Sequence, residues 1–305
     1  MIEIRDLTKV YGRTQTPAVK GLNLEISDGE ILGFAGLNGA GKSTTIRLVS
    51  GIIFPSGGHV TVDQRDIVKE KIEASKNIGW VPELPNFEPN AKSIPLLKYY
   101  AGFYGMKGRE LEDRIEGLLK RFNIWEARNK KLKEYSQGMK KRFSIAAALI
   151  GEPQNFLFDE TLNGLDPEGV RNMRDFMLQL KKEGKAVFLS SHILSELENV
   201  ADRIAIIKKG ELIRVVERSE LSNLGSTAVK VRINNMDNGA VAILEKYGRV
   251  ETVGDSLMVR DLKINSAEAS RINKELAQSD YDVSFFEISG EDLEDYFIGL
   301  VGENR

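Results

Sequence analysis

The sequence predicts an α/β fold built on a mixed β-sheet, followed by a smaller α+β domain. Short apolar segments alternate with long helical patterns, as in sheets that helices cover on their faces. The first strands instead alternate apolar and polar residues, which indicates an N-terminal β-subdomain. Composition then shifts near residue 220, and a new series of short elements begins. We therefore expect one domain over residues 1–220 and a second over residues 226–305.

Composition excludes several classes of function. The 305 residues include 43 Lys and Arg against 45 Asp and Glu, so a net charge of −2 creates no global field favouring nucleic acid or an anionic membrane. The absence of cysteine excludes disulfides, thiol catalysis and Cys-ligated zinc. We find no secretory signal, and the apolar stretch FSIAAALIG is far shorter than the roughly 20 residues that span a bilayer. We expect a cytoplasmic chain without a membrane span of its own.

The N-terminal elements are predicted in the order strand, strand, strand, helix. IEIRDLTKVYG and AVKGLNLEIS have the alternation of half-buried strands. GEILGFAG is a buried strand that runs directly into a glycine cluster, and KSTTIRLVSGI follows with helical spacing. A strand, a glycine-rich loop and a helix are therefore consecutive.

Further buried strands and helices complete the first domain. The strands are short, apolar and bounded by polar or turn residues: NFLFDE, KAVFLSSH and DRIAIIKKG. The segment between NFLFDE and KAVFLSSH, EGVRNMRDFMLQLKKEG, is predicted to be a helix that ends in basic residues and a glycine. Residues from about 86 to 150 are mostly helical, with PLLKYYAGFYGMKG and RELEDRIEGLLKRFNI as amphipathic helices. This region is predicted to be a helical insertion.

The C-terminal segment predicts a ferredoxin-like unit. VKVRI, NGAVAILEKYG, a hairpin turning at Gly254 and Asp255, SAEASRINKELAQ and DVSFFEIS follow the order β-α-β-β-α-β. A final helix, EDLEDYFIGLVG, carries an apolar stripe that is most simply a packing face.

One segment has the residues of a phosphate-binding loop. GLNGAGKS, Gly36 to Ser43, matches G-x-x-x-x-G-K-S between a predicted strand and a predicted helix. Glycines allow backbone N–H groups to surround phosphates, and the helix N-terminus adds partial positive charge. Lys42 would neutralise the β- and γ-phosphate oxygens, and Ser43 would offer an oxygen to Mg²⁺. We expect nucleotide binding here.

Catalytic candidates follow two buried strands. Asp159 and Glu160 end NFLFDE, and His192 follows AVFLSS. Open parallel sheets bind ligands at the carboxyl ends of their strands. Asp159 is expected to hold Mg²⁺ through its water shell, and Glu160, on the opposite side by strand alternation, to act as general base. His192 is expected to contact the γ-phosphate.

A second anion site is predicted at YSQGM, which precedes the apolar helix FSIAAALI. Ser136 is a candidate helix N-cap, and the helix N-terminus attracts anions. The following cations, Lys140, Lys141 and Arg142, are expected to form the solvated face of this helix rather than to contact phosphate.

Six ordered elements give the chain a family resemblance. They are Tyr11 in KVYG, the phosphate-binding loop, IGWVPE, YSQGM, FLFDE followed by NGLD, and SSH. Over at least residues 1–220 the chain resembles the nucleotide-binding subunits of ATP-binding cassette (ABC) transporters, especially the drug-resistance and sodium-extrusion exporters. The resemblance implies the P-loop NTPase fold of an ABC cassette, with ATP and Mg²⁺ as ligands.

The resemblance also implies roles and partners. Tyr11 would stack on adenine, and Asp166 keeps its place in NGLD. Two cassettes, here expected as a homodimer, would meet head to tail so that YSQGM of one closes over the ATP of the other. A separate integral-membrane permease would export the substrate, with this chain at the inner face of the cell membrane. The nucleotide-contacting residues are then Tyr11, Gly36, Leu37, Asn38, Gly39, Ala40, Gly41, Lys42, Ser43, Thr44, Ser136, Gln137, Gly138, Met139 and Asp166.

The chain departs from the family pattern at several positions. The usual Leu-Ser-Gly-Gly-Gln is Tyr-Ser-Gln-Gly-Met, residues 135–139. The glutamine that joins the magnesium site to the membrane subunit is Glu83, which can approach Mg²⁺ but donates no hydrogen bond when ionised. The usual Pro-Thr after Glu160 is Thr161 and Leu162. We still expect hydrolysis, with Glu160, His192 and Lys42 in the catalytic roles.

Two alternatives compete with the transporter hypothesis. A soluble ABC-type ATPase acting on nucleic acid or the ribosome would carry two cassettes or a long coiled-coil insertion. This sequence has one cassette, no sustained heptads and no basic stripe. A GTP-binding switch would need Asn-Lys-x-Asp, and both NKKL and NKEL lack the acid. The C-terminal unit could regulate, dimerise or cap the cassette, and we expect regulation or dimer contacts. It has no cluster of His and carboxylates for a metal.

Overall fold

The structure is a computed structural model that describes residues 1–12, 16–218, 220, 227–260, 262, 264 and 268–290. The chain forms two compact units, Met1–Glu217 and Arg218–Arg305. No helix in the described part of the chain is long and apolar enough to cross a bilayer. The helix expected in EDLEDYFIGLVG lies outside the described residues.

The first unit begins with an antiparallel sheet. Its strands, numbered in chain order, are β1 (Ile2–Lys9), β2 (Val19–Ile26), β4 (Gly57–Val62) and the short β5 (Arg65–Asp66). They pair in the order β2-β1-β4-β5, all antiparallel. Burial alternates along β2, because its apolar residues face the core and its polar residues face solvent.

A six-stranded sheet forms the second layer and carries the strand ends that matter for function. Its order is β10-β9-β3-β8-β7-β6, with β9, β3, β8, β7 and β6 parallel and β10 antiparallel at the edge. The strands are β3 (Ile31–Ala35), β6 (Ile78–Val81), β7 (Asn155–Asp159), β8 (Ala186–Ser191), β9 (Arg203–Lys208) and β10 (Glu211–Glu217).

Helices of the first unit connect these strands. They are α1 (Lys42–Val49), α2 (Lys71–Lys76), α3 (Ser93–Gly102), α4 (Gly108–Arg121), α5 (Gln137–Ala148), α6 (Pro167–Lys182) and α7 (Leu194–Glu198). Every residue of β3, β7 and β8 is buried, and the rings of Phe34 and Phe188 meet at 5.1 Å in the core. This rigid sheet holds the loops at its carboxyl edge.

The mixed sheet that the sequence predicts is present, but several elements were not anticipated. Strands β4, β5, β6 and β10 and helices α2 and α7 have no counterpart in the sequence expectations. These segments are short, and β10 is largely exposed at a sheet edge, so none gives a strong periodic signal. Helix α3 also ends at Gly102, earlier than the pattern through FYGMKG suggested.

The second unit contains a four-stranded antiparallel sheet and two helices. In chain order these are β11 (Thr227–Ile233), α8 (Asn238–Glu245), β12 (Arg249–Val253), β13 (Ser256–Arg260), α9 (Ser270–Gln278) and β14 (Val283–Gly290). The strands pair in the order β12-β13-β11-β14. Apolar residues of the sheet and both helices, including Val231, Leu244 and Leu276, form one buried core.

Candidate functional site

The loop between β3 and α1 forms a cradle in which two glycines, Gly36 and Gly41, have no room for a side chain. Gly41 has a φ of 110°, and a Cβ there would lie 2.4 Å from the Ala18 carbonyl oxygen. A Cβ on Gly36 would lie 2.8 Å from the Ile207 carbonyl oxygen. Only glycine satisfies both positions, and the resulting turn directs the loop into the N-terminus of α1.

Lys42, the first residue of α1, points back into this cradle. Its side chain is 4% exposed, and Nζ donates to the carbonyl oxygens of Gly36 at 2.7 Å and Leu37 at 3.3 Å. Nζ also lies 3.1 Å from Oε1 of Glu160. A buried ammonium requires such partners, and the same group can compensate phosphate charge at this position.

Ser43 and Asp159 meet across the cradle. The Ser43 hydroxyl donates to Oδ1 of Asp159 at 3.0 Å, and the Ser190 hydroxyl donates to the same oxygen at 2.9 Å. Burial raises the pKa of Asp159 above its ordinary value, the two serine hydroxyls oppose that change, and the neighbouring Glu160 charge adds to it. A hard oxygen pair of this kind is what Mg²⁺ selects.

Glu160 is the centre of the polar network. Its Oε1 faces Lys42, and its Oε2 receives the side-chain amide of Asn163 at 2.8 Å and lies 2.9 Å from Nδ1 of His192. Burial alone would raise the pKa of Glu160, but Lys42 and His192 outweigh it and hold that pKa below its ordinary value. The carboxylate is therefore ionised at neutral pH, as a general base must be.

The route by which Glu160 reaches this position differs from the sequence expectation. Strand β7 ends at Asp159, and Glu160 has a φ of 47°, in the left-handed region. Strand alternation therefore does not place Glu160 on the opposite side. The chain turns, and both carboxylates reach the cradle, Asp159 at Ser43 and Glu160 at Lys42.

The YSQGM segment forms the start of α5. Ser136 is its N-cap, and the Ser136 hydroxyl accepts from the Met139 amide at 3.2 Å. Ser136 and Gln137 are exposed, and a Cβ on Gly138 would meet no atom within 4 Å. The segment therefore presents a helix N-terminus to its surroundings.

The expectation that the cations after YSQGM form a solvated face is wrong for one of them. Arg142 is exposed and Lys140 is half-buried, but Lys141 is only 7% exposed. Its Nζ donates to the Asn163 carbonyl oxygen at 2.8 Å. The turn that follows Glu160 covers Lys141 on α5, so the run of three cations wrongly predicted that this lysine is exposed to solvent.

The remaining candidates lie at other elements. Tyr11 is 43% exposed beside β1, with Lys9 Nζ 5.3 Å from the centre of its ring. Glu83 is exposed in the loop after β6. Asp166 is the N-cap of α6, where its carboxylate accepts from the Gly169 amide at 2.9 Å.

Sequence reasoning missed three members of the network. Asn163 donates a hydrogen bond to Glu160, Ser190 donates one to Asp159, and Lys141 donates one to Asn163. Asn163 and Ser190 were inside quoted motifs, NGLD and SSH, but nothing in one sequence assigned them a contact. Their roles depend on tertiary contacts, because Ser190 is in β8 and Asn163 is in the turn that follows β7.

Comparison with known proteins decides the family. The model of the ABC transporter family matches residues 19–163. The bacitracin transport ATP-binding protein BcrA of Bacillus licheniformis is 32% identical over 305 residues, which is 99% of this chain and 97% of BcrA. The chain belongs to the ATP-binding subunits of ABC transporters. As a member of this ABC family it is an ATPase, which agrees with the ionised carboxylate beside the phosphate loop.

Other ABC relatives support the assignment. The linearmycin resistance ATP-binding protein LnrL of Bacillus subtilis is 28% identical and covers 99% of this chain and 98% of its own length. NatA of Bacillus subtilis is 37% identical over 217 residues, 70% of this chain and 88% of NatA. The relatives are transport proteins, and none of these favours the nucleic-acid alternative.

Solved ABC structures share the fold of most of the chain. An ATP-binding subunit of an ABC transporter superposes with a TM-score of 0.67 at 27% identity, covering 73% of this chain and 92% of that one. The cassette MJ0796, solved as a dimer in a post-hydrolysis state with ADP and Pi, gives a TM-score of 0.64 at 26% identity, covering 72% and 99%.

Proposed function

We propose that this chain hydrolyses Mg–ATP at a site shared by two copies of itself, and that the cycle drives export through a separate membrane permease. The observation that carries the proposal is the Glu160 carboxylate, held ionised between Lys42 and His192 at the mouth of the phosphate loop. This arrangement supplies a base next to a phosphate site.

The nucleotide would be held by residues of the cradle and of β1. The backbone of the loop from Gly36 to Thr44 would surround the phosphates, and Lys42 would exchange its carbonyl and carboxylate partners for phosphate oxygens. Tyr11, partly exposed, would stack on adenine. Glu160 would then be free to accept a proton from the attacking water, with His192 beside it near the γ-phosphate.

The donor set fits Mg²⁺ bound together with the substrate. Ser43 and Asp159 offer adjacent oxygens, and Glu83 could approach from the loop after β6. Mg²⁺ commonly takes one or two protein oxygens and completes its shell with phosphates and water. In the described part of the chain no group of three or more His, Cys, Asp or Glu side chains forms a metal site. The ion would neutralise charge that develops on the phosphates.

Helix α5 supports a shared site because its start, at Ser136 and Gln137, is exposed and its first turn contains a glycine that its own chain does not require. A Cβ on Gly138 would meet nothing in the chain, although glycine in a helix costs about 0.5–1 kcal/mol relative to alanine. Close approach of a ligand held by a second copy explains that cost. The Ser136 cap and the helix N-terminus would then face the other copy's γ-phosphate, and Gln137, Met139 and Asp166 would line the contact.

The permease is proposed to bind at a groove beside the Glu83 loop. The groove has a volume of 620 Å³ and is lined by Trp80, Tyr100, Phe103 and Tyr104 among other residues. Around it, the exposed apolar side chains Ile72, Leu84 and Tyr99 are 75%, 76% and 63% exposed. Lys71 and Lys76 also line the groove, so the segment that binds there is expected to be apolar with acidic residues. Binding would hold the chain at the inner face of the cell membrane.

The C-terminal unit is proposed to be ferredoxin-like and to act as a regulatory or dimer-contact domain. Its β-α-β-β-α-β order and its strand order β12-β13-β11-β14 support the fold proposal. We propose the domain limits 1–220, with the helical insertion at about 86–150, and 226–305.

The catalytic proposal is tested by replacing Glu160 with Gln. The variant should bind ATP with unchanged affinity and hydrolyse it about 10²- to 10⁴-fold more slowly, the scale of a positioned base. Binding is measured by titration with a fluorescent ATP analogue and turnover by phosphate release. An unchanged rate would remove Glu160 from this role.

The permease proposal is tested by co-purification from native membranes. A multi-spanning protein should accompany the wild-type chain and should be lost when Tyr99 and Phe103 are both replaced by Ser. ATP hydrolysis of the isolated variant should be unchanged, because Tyr99 is on α3 and Phe103 is the C-cap residue of that helix, whereas the phosphate loop lies between β3 and α1. Retention of the membrane protein by the variant would contradict the assigned groove.

A further inference from the structure

Lys141 occupies an unusual position for a lysine. In the described part of the chain only Lys42 and Lys141 are buried lysines. Burial lowers the pKa of Lys141, and the charges of Glu83 and Glu196 partly compensate. A buried ammonium is costly unless it makes a specific interaction. The interaction present here is the 2.8 Å hydrogen bond from Nζ to the Asn163 carbonyl oxygen.

Asn163 in turn contacts the proposed general base. Its side-chain amide donates to Oε2 of Glu160 at 2.8 Å, and its backbone amide donates to the Glu160 carbonyl oxygen at 3.2 Å. These two bonds close the turn in which Glu160 adopts its left-handed conformation. The turn is strained at a non-glycine residue, so external support is needed to keep it.

A continuous path therefore joins α5 to the catalytic carboxylate. It runs from Lys141 to the backbone of Asn163, and from the Asn163 side chain to Glu160. Ser136 caps the same helix, so a displacement of α5 would move Lys141 as well. The other groups facing Glu160 come from different elements, Lys42 from α1 and His192 from the end of β8.

We propose that Lys141 and Asn163 are positioning residues for Glu160, and that through them α5 sets the orientation of the base in its own chain. This inference rests on the proposed role of Glu160. Neither residue touches the reacting atoms in this proposal. Their contribution is the geometry of the carboxylate, and a misplacement near 1 Å can cost about 10²-fold in rate.

The test compares Lys141→Met, Asn163→Ala and the double variant. Met at position 141 keeps most of the buried side-chain volume and removes the ammonium donor. Ala at position 163 keeps the backbone carbonyl that accepts from Lys141 and removes the side-chain amide that donates to Glu160. Each single variant should lower kcat about 10- to 100-fold with KM for ATP unchanged. Since both changes break one path, the double variant should be close to the slower single variant rather than to the product of the two effects.

Controls separate positioning from folding. Lys140→Met changes the neighbouring half-buried lysine and should leave kcat unchanged. Thermal unfolding of Lys141→Met should show no loss of stability, because removing a buried charge offsets the lost hydrogen bond. A purely structural role would lower the melting temperature and leave kcat of the folded fraction unchanged, which would overturn the proposal. Should Lys141→Met fold poorly, Asn163→Ala alone decides.

Glu160→Gln in the same assay distinguishes the two levels of inference. If Glu160→Gln is inactive while Lys141→Met and Asn163→Ala keep wild-type kcat, the positioning proposal fails and the base assignment stands. If Glu160→Gln hydrolyses ATP at the wild-type rate, the assignment of Glu160 as the base is wrong, and the positioning proposal that rests on it is wrong as well. If the decrease in kcat of the double variant equals the product of the two single decreases, Lys141 and Asn163 act independently and the proposal of one path is wrong.

Discussion

Replacing Gly138 with alanine separates what the fold requires from what the proposed dimer requires. Gly138 is the second residue of α5 and does not have a positive φ, so alanine can adopt its backbone conformation. The added methyl group would meet no atom of the chain within 4 Å. Alanine should therefore stabilise the helix by up to about 1 kcal/mol, which is worth roughly 2–4 °C in melting temperature for a domain of this size.

The same substitution should lower activity. If Gly138 is present so that a second copy's ATP can approach α5, a methyl group there would displace the phosphates. We expect kcat for ATP to fall about 10- to 100-fold, the scale of a small misplacement. Thermal unfolding and phosphate release measured on one preparation give both values.

A matched control is available in α4. Gly117 also lies in a helix, is exposed, and has open space at its Cβ. Gly117→Ala should increase stability similarly and leave hydrolysis unchanged. A Gly138→Ala protein that is stabilised and as active as wild type would refute the reasoning, since no ligand or partner would then approach that position closely.

Three other predictions address single residues of the site. Asp159→Asn should raise the free energy of unfolding at neutral pH, because burial raises the pKa of Asp159 and the ionised carboxylate therefore destabilises the folded state. Denaturation curves should show no such gain at pH values below the pKa of Asp159 in the unfolded chain, where the carboxyl is protonated in both states. Mg²⁺-dependent hydrolysis should be lost at every pH. Lys42→Ala should weaken binding of a fluorescent ATP analogue, and an unchanged titration would contradict the assigned phosphate contact. Asp166→Ala should cost about 1 kcal/mol of unfolding free energy through loss of the α6 cap, and Asp166→Ser should restore stability. If Asp166 also lines the shared site, Ser will not restore hydrolysis, whereas full recovery would limit Asp166 to capping.

Much of the fold was predictable where one strong local signal exists. The phosphate loop is a fixed spacing of glycines, lysine and serine between a buried strand and a helix, so the sequence shows it directly, although the atoms that exclude a Cβ at Gly41 and Gly36 belong to Ala18 and Ile207. Buried parallel strands such as β7 and β8 are continuous apolar runs, so their position is visible in the sequence. Strand β10 at the sheet edge is largely exposed, and its pairing depends on a neighbour rather than on its own pattern.

The details of the site depended on tertiary contacts that no local pattern contains. Strand alternation gave the wrong side for Glu160, because the strand ends one residue earlier and the backbone turns left-handed. Charge spacing gave the wrong environment for Lys141, because the turn at Asn163 covers it. Both errors occur at one strained turn, where function and local preference disagree.

The central claim is that ATP is bound between two copies of the chain, and mixing two inactive variants tests it most directly. Ser136→Arg blocks the α5 contact, and Lys42→Ala blocks the phosphate loop, so neither homodimer has an intact site. A mixed dimer pairs the intact loop of one protein with the intact α5 of the other, which restores about a quarter of all sites in an equal mixture. We expect phosphate release to recover to that level, and no recovery at any mixing ratio would contradict the claim.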